Sequence, residues 1–93
     1  MLDINQHFVL SKTIVLRGPG EKFWALDTSS GNQYKLNDVS YFILNSLRAP
    51  MSATQIVDAV LEEYEATREQ VSIDCSCILQ FAIENAIIKE VNI

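Results

Sequence analysis

The sequence predicts an α+β fold, winged-helix-like, in which a three-stranded antiparallel sheet is followed by three helices. Three observations carry this. The hydrophobic period changes near Asn37 from one close to 2 to one close to 3.6. Before that point, two clusters of turn formers, Gly18-Pro19-Gly20 and Asp27 to Asn32, separate short aromatic and β-branched runs. After it, the spacing Ser/Thr-x-x-Gln occurs at Ser52 to Gln55 and at Thr67 to Gln70, the pattern of a reciprocal helix start.

Each element follows in order. Ser11 to Arg17 alternates, with Thr13, Val15 and Arg17 on one side and Ile14 and Leu16 on the other, and is expected as the first strand. Lys22 to Thr28, with Phe23, Trp24 and Leu26, is the second. Gly31 is the natural positive-φ residue of the following turn, and Gln33 to Leu36 the third strand of a meander. Asn37 or Asp38 caps a helix that turns Val39, Phe42, Ile43, Leu44 and Leu47 inward, and Ala49-Pro50 stops it. The helix opened by Ser52 presents Ile56, Val57, Val60, Leu61 and Tyr64 on one face. The helix opened by Thr67 is expected to run to Ile88. One domain is expected over residues 1–93, with Met1 to Phe8 an extra strand or a loose arm.

The bulk properties exclude several functions. Ninety-three residues bury only roughly 60% of the unfolded surface, too little for a deep catalytic cleft. Seven Lys plus Arg against twelve Asp plus Glu give a net charge of −5, the wrong sign for a phosphate-binding surface. The last helix also carries no Lys or Arg between Glu69 and Ile88, so it is not expected to read nucleic acid. His7 has no nucleophile or paired acid at catalytic spacing and is expected as a surface residue. No phosphate loop is present, and Gly18-Pro19-Gly20 is accounted for by a hairpin turn. Cys75 and Cys77 diverge by about 200° on a helix and read as small apolar residues, not as a metal site or a disulfide. The acidic run Glu62 to Glu65 reads as a solvated face. No catalytic residue, metal or cofactor is expected, and with no signal-like or membrane-spanning run a cytoplasmic protein is.

The last helix is the most informative element. At 100° per residue, Val71, Cys75, Ile78, Leu79, Ala82 and Ala86 share one face, while Ile73, Cys77 and Phe81 line the nearly opposite one. The second stripe either packs beneath the sheet as ordinary core or, with the third strand, forms one wall of an open groove. An edge strand beside such a stripe offers main-chain hydrogen bonds and apolar pockets to an extended peptide, with Tyr34 as a floor.

Several segments in order carry a resemblance: Tyr34-Lys35-Leu36-Asn37-Asp38 running into a helix, Ser52 to Tyr64, Val71-x-x-Asp74-Cys75-x-x-Ile78-Leu79, and Ala86-Ile87-Ile88. Together, over roughly residues 10–91, they resemble the PqqD-like domains called RiPP precursor recognition elements. The resemblance implies that the chain binds the leader segment of a ribosomally made precursor peptide as an added antiparallel strand, between the third strand and the third helix. It implies that Gln33, Tyr34, Lys35 and Leu36 lie along the ligand backbone and that Ile73, Asp74, Cys77 and Phe81 face its side chains. It further implies a separate partner, either a cysteine leader peptidase, as in lasso peptide clusters, or a radical modifying enzyme. The family often has Gly where this chain has Ala49, and Leu and Gly where it has Ala82 and Ala86. A monomer and a strand-swapped dimer both remain open, and the alternative function is a winged-helix interaction or assembly subunit that uses the same apolar face.

Overall fold

The computed structural model describes residues 6–18 and 22–91. It contains β1 (His7–Leu10), β2 (Ile14–Arg17), β3 (Phe23–Asp27), β4 (Gln33–Leu36), α1 (Asp38–Ser46), β5 (Met51–Ser52), α2 (Ala53–Glu63), α3 (Arg68–Glu84) and β6 (Ile88–Val91). The expected meander is present as the antiparallel sheet β2-β3-β4, and three helices follow it. The α+β expectation holds. A second antiparallel sheet, in the order β5-β1-β6, was not anticipated from sequence.

Local chemistry explains most boundaries. Between β3 and β4, Asp27 accepts from the Ser29 amide and hydroxyl at 2.9 and 2.8 Å, and Gly31 takes φ 80°. These bonds to Ser29 hold the buried Asp27 carboxyl below its ordinary value. At the start of the preceding hairpin, Gly18 lies so close to Phe23 that a Cβ would sit 2.5 Å from the ring, and Phe23 in turn packs on Tyr41 of α1 with centroids 4.7 Å apart. The rest of that turn, Pro19 and Gly20, falls outside the described residues. Asn37 caps α1 by accepting from the Ser40 amide at 2.8 Å. Ser52 and Gln55 form the full reciprocal box at the start of α2. Thr67 does only half of this: it accepts from the Gln70 amide, but the Gln70 side chain donates to Asp74 Oδ1 at 2.9 Å instead of returning to the cap.

Two expectations fail at the C-terminal end of α3. The helix stops at Glu84 rather than at Ile88, and Ala86 is exposed rather than part of the core stripe. The Ile87 amide donates to the Ala82 carbonyl at 2.8 Å and the Ala86 amide to the Ile83 carbonyl at 3.1 Å, the pair of hydrogen bonds of a Schellman motif. Ala86 accordingly takes φ 58°, a conformation that costs a residue with a Cβ roughly 1–2 kcal/mol. The reversal sends Ile88 to Val91 back as β6 alongside β1, with His7 opposite Val91 and Leu10 opposite Ile88. Of the Met1 to Phe8 segment, for which a strand and a loose arm were both expected, His7 and Phe8 belong to β1, while residues 1–5 lie outside the described residues. His7 is a half-buried strand residue paired in register with Ser52 and Val91, not a surface histidine.

The core lies where these layers meet. Phe8 from β1, Ile43, Leu44 and Leu47 at α1, Ile56 in α2, Leu79 in α3 and Ile87 are almost completely buried, each contributing roughly 1.5–3 kcal/mol. Val71, Cys75, Leu79 and Ala82 form the buried seam of α3, as the first stripe predicts. An exposed ion pair between Arg68 and Asp58 links α3 to α2 and adds at most about 1 kcal/mol.

Two outcomes test this local bookkeeping of strain and charge. Ala86→Gly is expected to raise stability by about 1 kcal/mol, read as a higher melting midpoint, because glycine accepts positive φ without the Cβ clash. Because the Asp27 pKa is lowered from 3.8 on folding, its contribution is complete above that value and is lost as pH falls through the folded value. Acid denaturation of Asp27→Asn should accordingly lose part of the drop in stability that wild type shows below about pH 4.

Candidate functional site

The site begins with an unpaired sheet edge. β4 pairs only with β3 among the described residues. The Asp27 amide donates to the Asn32 carbonyl at 2.9 Å, and because hydrogen-bonded and non-hydrogen-bonded pairs alternate, Ala25 with Tyr34 and Phe23 with Leu36 are the next bonded pairs. The Thr28 amide, bonded to the Thr13 carbonyl at 2.8 Å, points the other way and fixes the same phase. The main-chain groups of Gln33 and Lys35 are left directed outward from the sheet.

Beside that edge stands the second stripe of α3. Ile73 is 54% exposed, Phe81 44% exposed, and Cys77 is exposed as well. The stripe does not pack beneath the sheet as core. Phe81 meets Tyr34 edge-on, with centroids 6.0 Å apart and planes at 84°, which fixes the spacing between helix and strand at one end.

Between them lies an open pocket of ≈ 260 Å³ lined by Lys35, Leu36, Asn37, Ser40, Leu44, Cys77, Ile78, Phe81 and Ala82. A second, of ≈ 290 Å³, is lined by Asn37, Val39, Asp74, Cys77 and Ile78. The three shared residues make the two a continuous groove. Of the predicted site residues, Lys35, Leu36, Asp74, Cys77 and Phe81 line it, and Tyr34 borders it through Phe81. Gln33 lines a pocket with Arg17, Trp24 and Leu26 instead, so only its main chain faces the groove edge. Ile73 lines neither half.

The residues missed from sequence are Asn37, Val39, Ser40, Leu44, Ile78 and Ala82. Four of these are apolar and were assigned to the core by periodicity, which does not distinguish a core residue from the floor of a groove. Asn37 carries a readable signal, because the residue that caps α1 necessarily sits where β4 ends.

The two cysteines differ sharply. Burial, with a smaller effect from Asp74, pushes the Cys75 thiol up to about 11, whereas Cys77 is exposed in the groove. The described residues contain no cluster of side chains able to hold a metal ion.

The model of the family described as coenzyme PQQ synthesis protein D (PqqD) matches residues 22–88. The chain belongs to the PqqD family. That match spans the meander from β3 onward, all three helices and the start of β6. Two solved structures share the fold of this PqqD-family chain. One is TbiB1 in complex with the TbiA(beta) leader peptide, at a TM-score of 0.75 and 22% identity, covering 87% of this chain and 94% of that one. The other is lasso peptide synthetase B1 complexed with the leader peptide, at a TM-score of 0.73 and 24% identity, covering 88% and 96%. No curated protein matches the chain.

The contrast between the thiols has a measurable consequence. In the native protein at pH 8, a thiol reagent such as dithionitrobenzoate should label Cys77 rapidly and Cys75 only in denaturant. Equal labelling of both in the folded state would contradict the burial of Cys75.

Proposed function

We propose that this chain is a non-catalytic peptide-binding protein that captures the leader segment of a ribosomally synthesised precursor peptide as an added strand on β4. The observation that carries this is the outward-directed main chain of Gln33 and Lys35 beside an exposed apolar stripe on α3. Strand pairing supplies affinity without regard to sequence, and the groove supplies side-chain choice. The two structures of the same fold were determined with leader peptides, which supports the same use of the site here.

Ordering a flexible leader costs a few kcal/mol, offset by main-chain hydrogen bonds and one or two anchors. Delivery to a modifying enzyme or leader peptidase then raises the effective substrate concentration without a catalytic group on this chain. The outer face of the meander suits the enzyme. There Trp24 lies in register between Arg17 and Lys35, next to Leu26 and the 42% exposed Val15. No helix among the described residues is long and apolar enough to cross a membrane, in keeping with a cytoplasmic site of action.

Proline at an edge position separates strand addition from folding. Lys35→Pro removes an outward amide that β3 does not use, so it should keep its helical circular dichroism yet lose at least about tenfold in affinity for a precursor leader peptide that the wild-type chain binds. Tyr34→Pro should instead destabilise the sheet. Phe81→Asp should also abolish binding without unfolding the chain. Undiminished leader binding by both Lys35→Pro and Phe81→Asp would refute this use of the groove.

A further inference from the structure

The two halves of the groove differ in chemistry, and their order along the strand is set by the fold. Tyr34 meets Phe81, Leu36 shares a pocket with Cys77 and Ile78, and Val39 shares one with Asp74. As the chain advances from β4 into α1, α3 therefore runs backward, from residue 81 to residue 74. A peptide lying antiparallel to β4 would enter at the Asp74 end and leave at the Phe81 end.

At the exit end Leu36, Leu44, Ile78, Phe81 and Ala82 supply apolar walls that suit a large apolar side chain, with Lys35, Asn37, Ser40 and Cys77 completing the lining, so the cation of the groove lies at this end and not beside Asp74 in the other half. At the entry end Asp74 is the one charged residue of the lining. Its Oδ1 accepts from Gln70 at 2.9 Å, and Asp74 forms no ion pair among the described residues. The carboxylate is thus held in position with its charge uncompensated. The halves share Cys77 and Ile78, so their centres are offset by about one helical turn, ~5.4 Å. Two residues of an extended strand span ~6.6 Å and return to the same face.

We infer that the groove reads a basic side chain at Asp74 followed, two residues toward the C-terminus, by a large apolar side chain at the Leu36, Ile78 and Phe81 pocket. The selected ligand class is an extended segment containing Arg or Lys, any residue, then Leu, Met or an aromatic. This assignment rests on the peptide-binding reading and adds to it an order, a spacing and a charge.

The test is selection of phage-displayed random twelve-residue peptides on the immobilised chain and, separately, on its Asp74→Lys variant, an exposed change outside the core. Wild type should enrich the basic-x-apolar pattern. The variant should keep the apolar position and replace the basic residue by Asp or Glu. Synthetic peptides from the wild-type selection should lose about three- to tenfold in affinity when the basic residue becomes Glu, and regain it on the variant. Enrichment with the two positions in reverse order, or identical selections on both proteins, overturns the inference while leaving peptide binding intact. Enrichment of nothing on either protein overturns peptide binding itself, and this inference with it.

Discussion

The α3 helix can bury only one of its two apolar stripes, and most of the molecule follows from which one. Val71, Cys75, Leu79 and Ala82 are taken into the core shared with α1 and α2, where Leu44, Ile56 and Val60 are also buried. Once that seam is closed, Ile73, Cys77 and Phe81 must point away from the helical core. The meander could have lain over them, but its inner face is committed elsewhere: Phe23 packs on Tyr41 of α1, and Ile14, Ala25 and Leu36 join the common core. The sheet therefore stands beside α3 and touches it through Tyr34 and Phe81, leaving a gap along the edge of β4.

That gap combines features that are each unremarkable alone. An unpaired edge strand is an aggregation hazard unless blunted, and here the alternating register confines the outward hydrogen-bonding groups to Gln33 and Lys35, one polar and one cationic. An exposed aromatic residue is common, yet Phe81 stands one helical turn from Cys77 and opposite Tyr34, so it forms a wall rather than an isolated patch. The proposed binding by strand addition would use the first feature for affinity and the second for choice. An overall charge of −5 accords with a ligand recognised through its backbone and a few side chains, not through phosphates.

The second sheet ties the chain together at a distance from the groove. β1 lies between β5 and β6, and the Leu10 and Ser11 amides donate to the Leu47 and Ile87 carbonyls at 2.8 and 2.9 Å. The sharp reversal after α3 makes this possible. It places Ala86 in a left-handed conformation, and the strain is held by the Schellman bonds and by the Ser11 hydroxyl donating to the Ala86 carbonyl at 2.8 Å. The groove is thus built on elements whose far ends are fastened independently of any ligand.

Local signals in the sequence determined the helix starts and the meander, because capping, turn chemistry and periodicity act over a few residues. Asn37, the Ser52 and Gln55 pair and Gly31 behave as their types require. The double stripe of α3 was legible too, but not its fate. Ile78, Leu44 and Ala82 read as core and also line the groove, since a periodic pattern records which way a side chain points and not what covers it. The sequence reading carried the helix on to Ile88 and gave Lys89 to Val91 no element, because four residues are too few to separate period 2 from 3.6, and the deciding partner, β1, lies some eighty positions away in the chain. Tertiary structure alone decided that β6 is a strand, that the second stripe of α3 is exposed, and that Asp74 and Phe81 face the two ends of one groove. Those outcomes depend on contacts between distant segments, whose energies no local stretch of sequence contains.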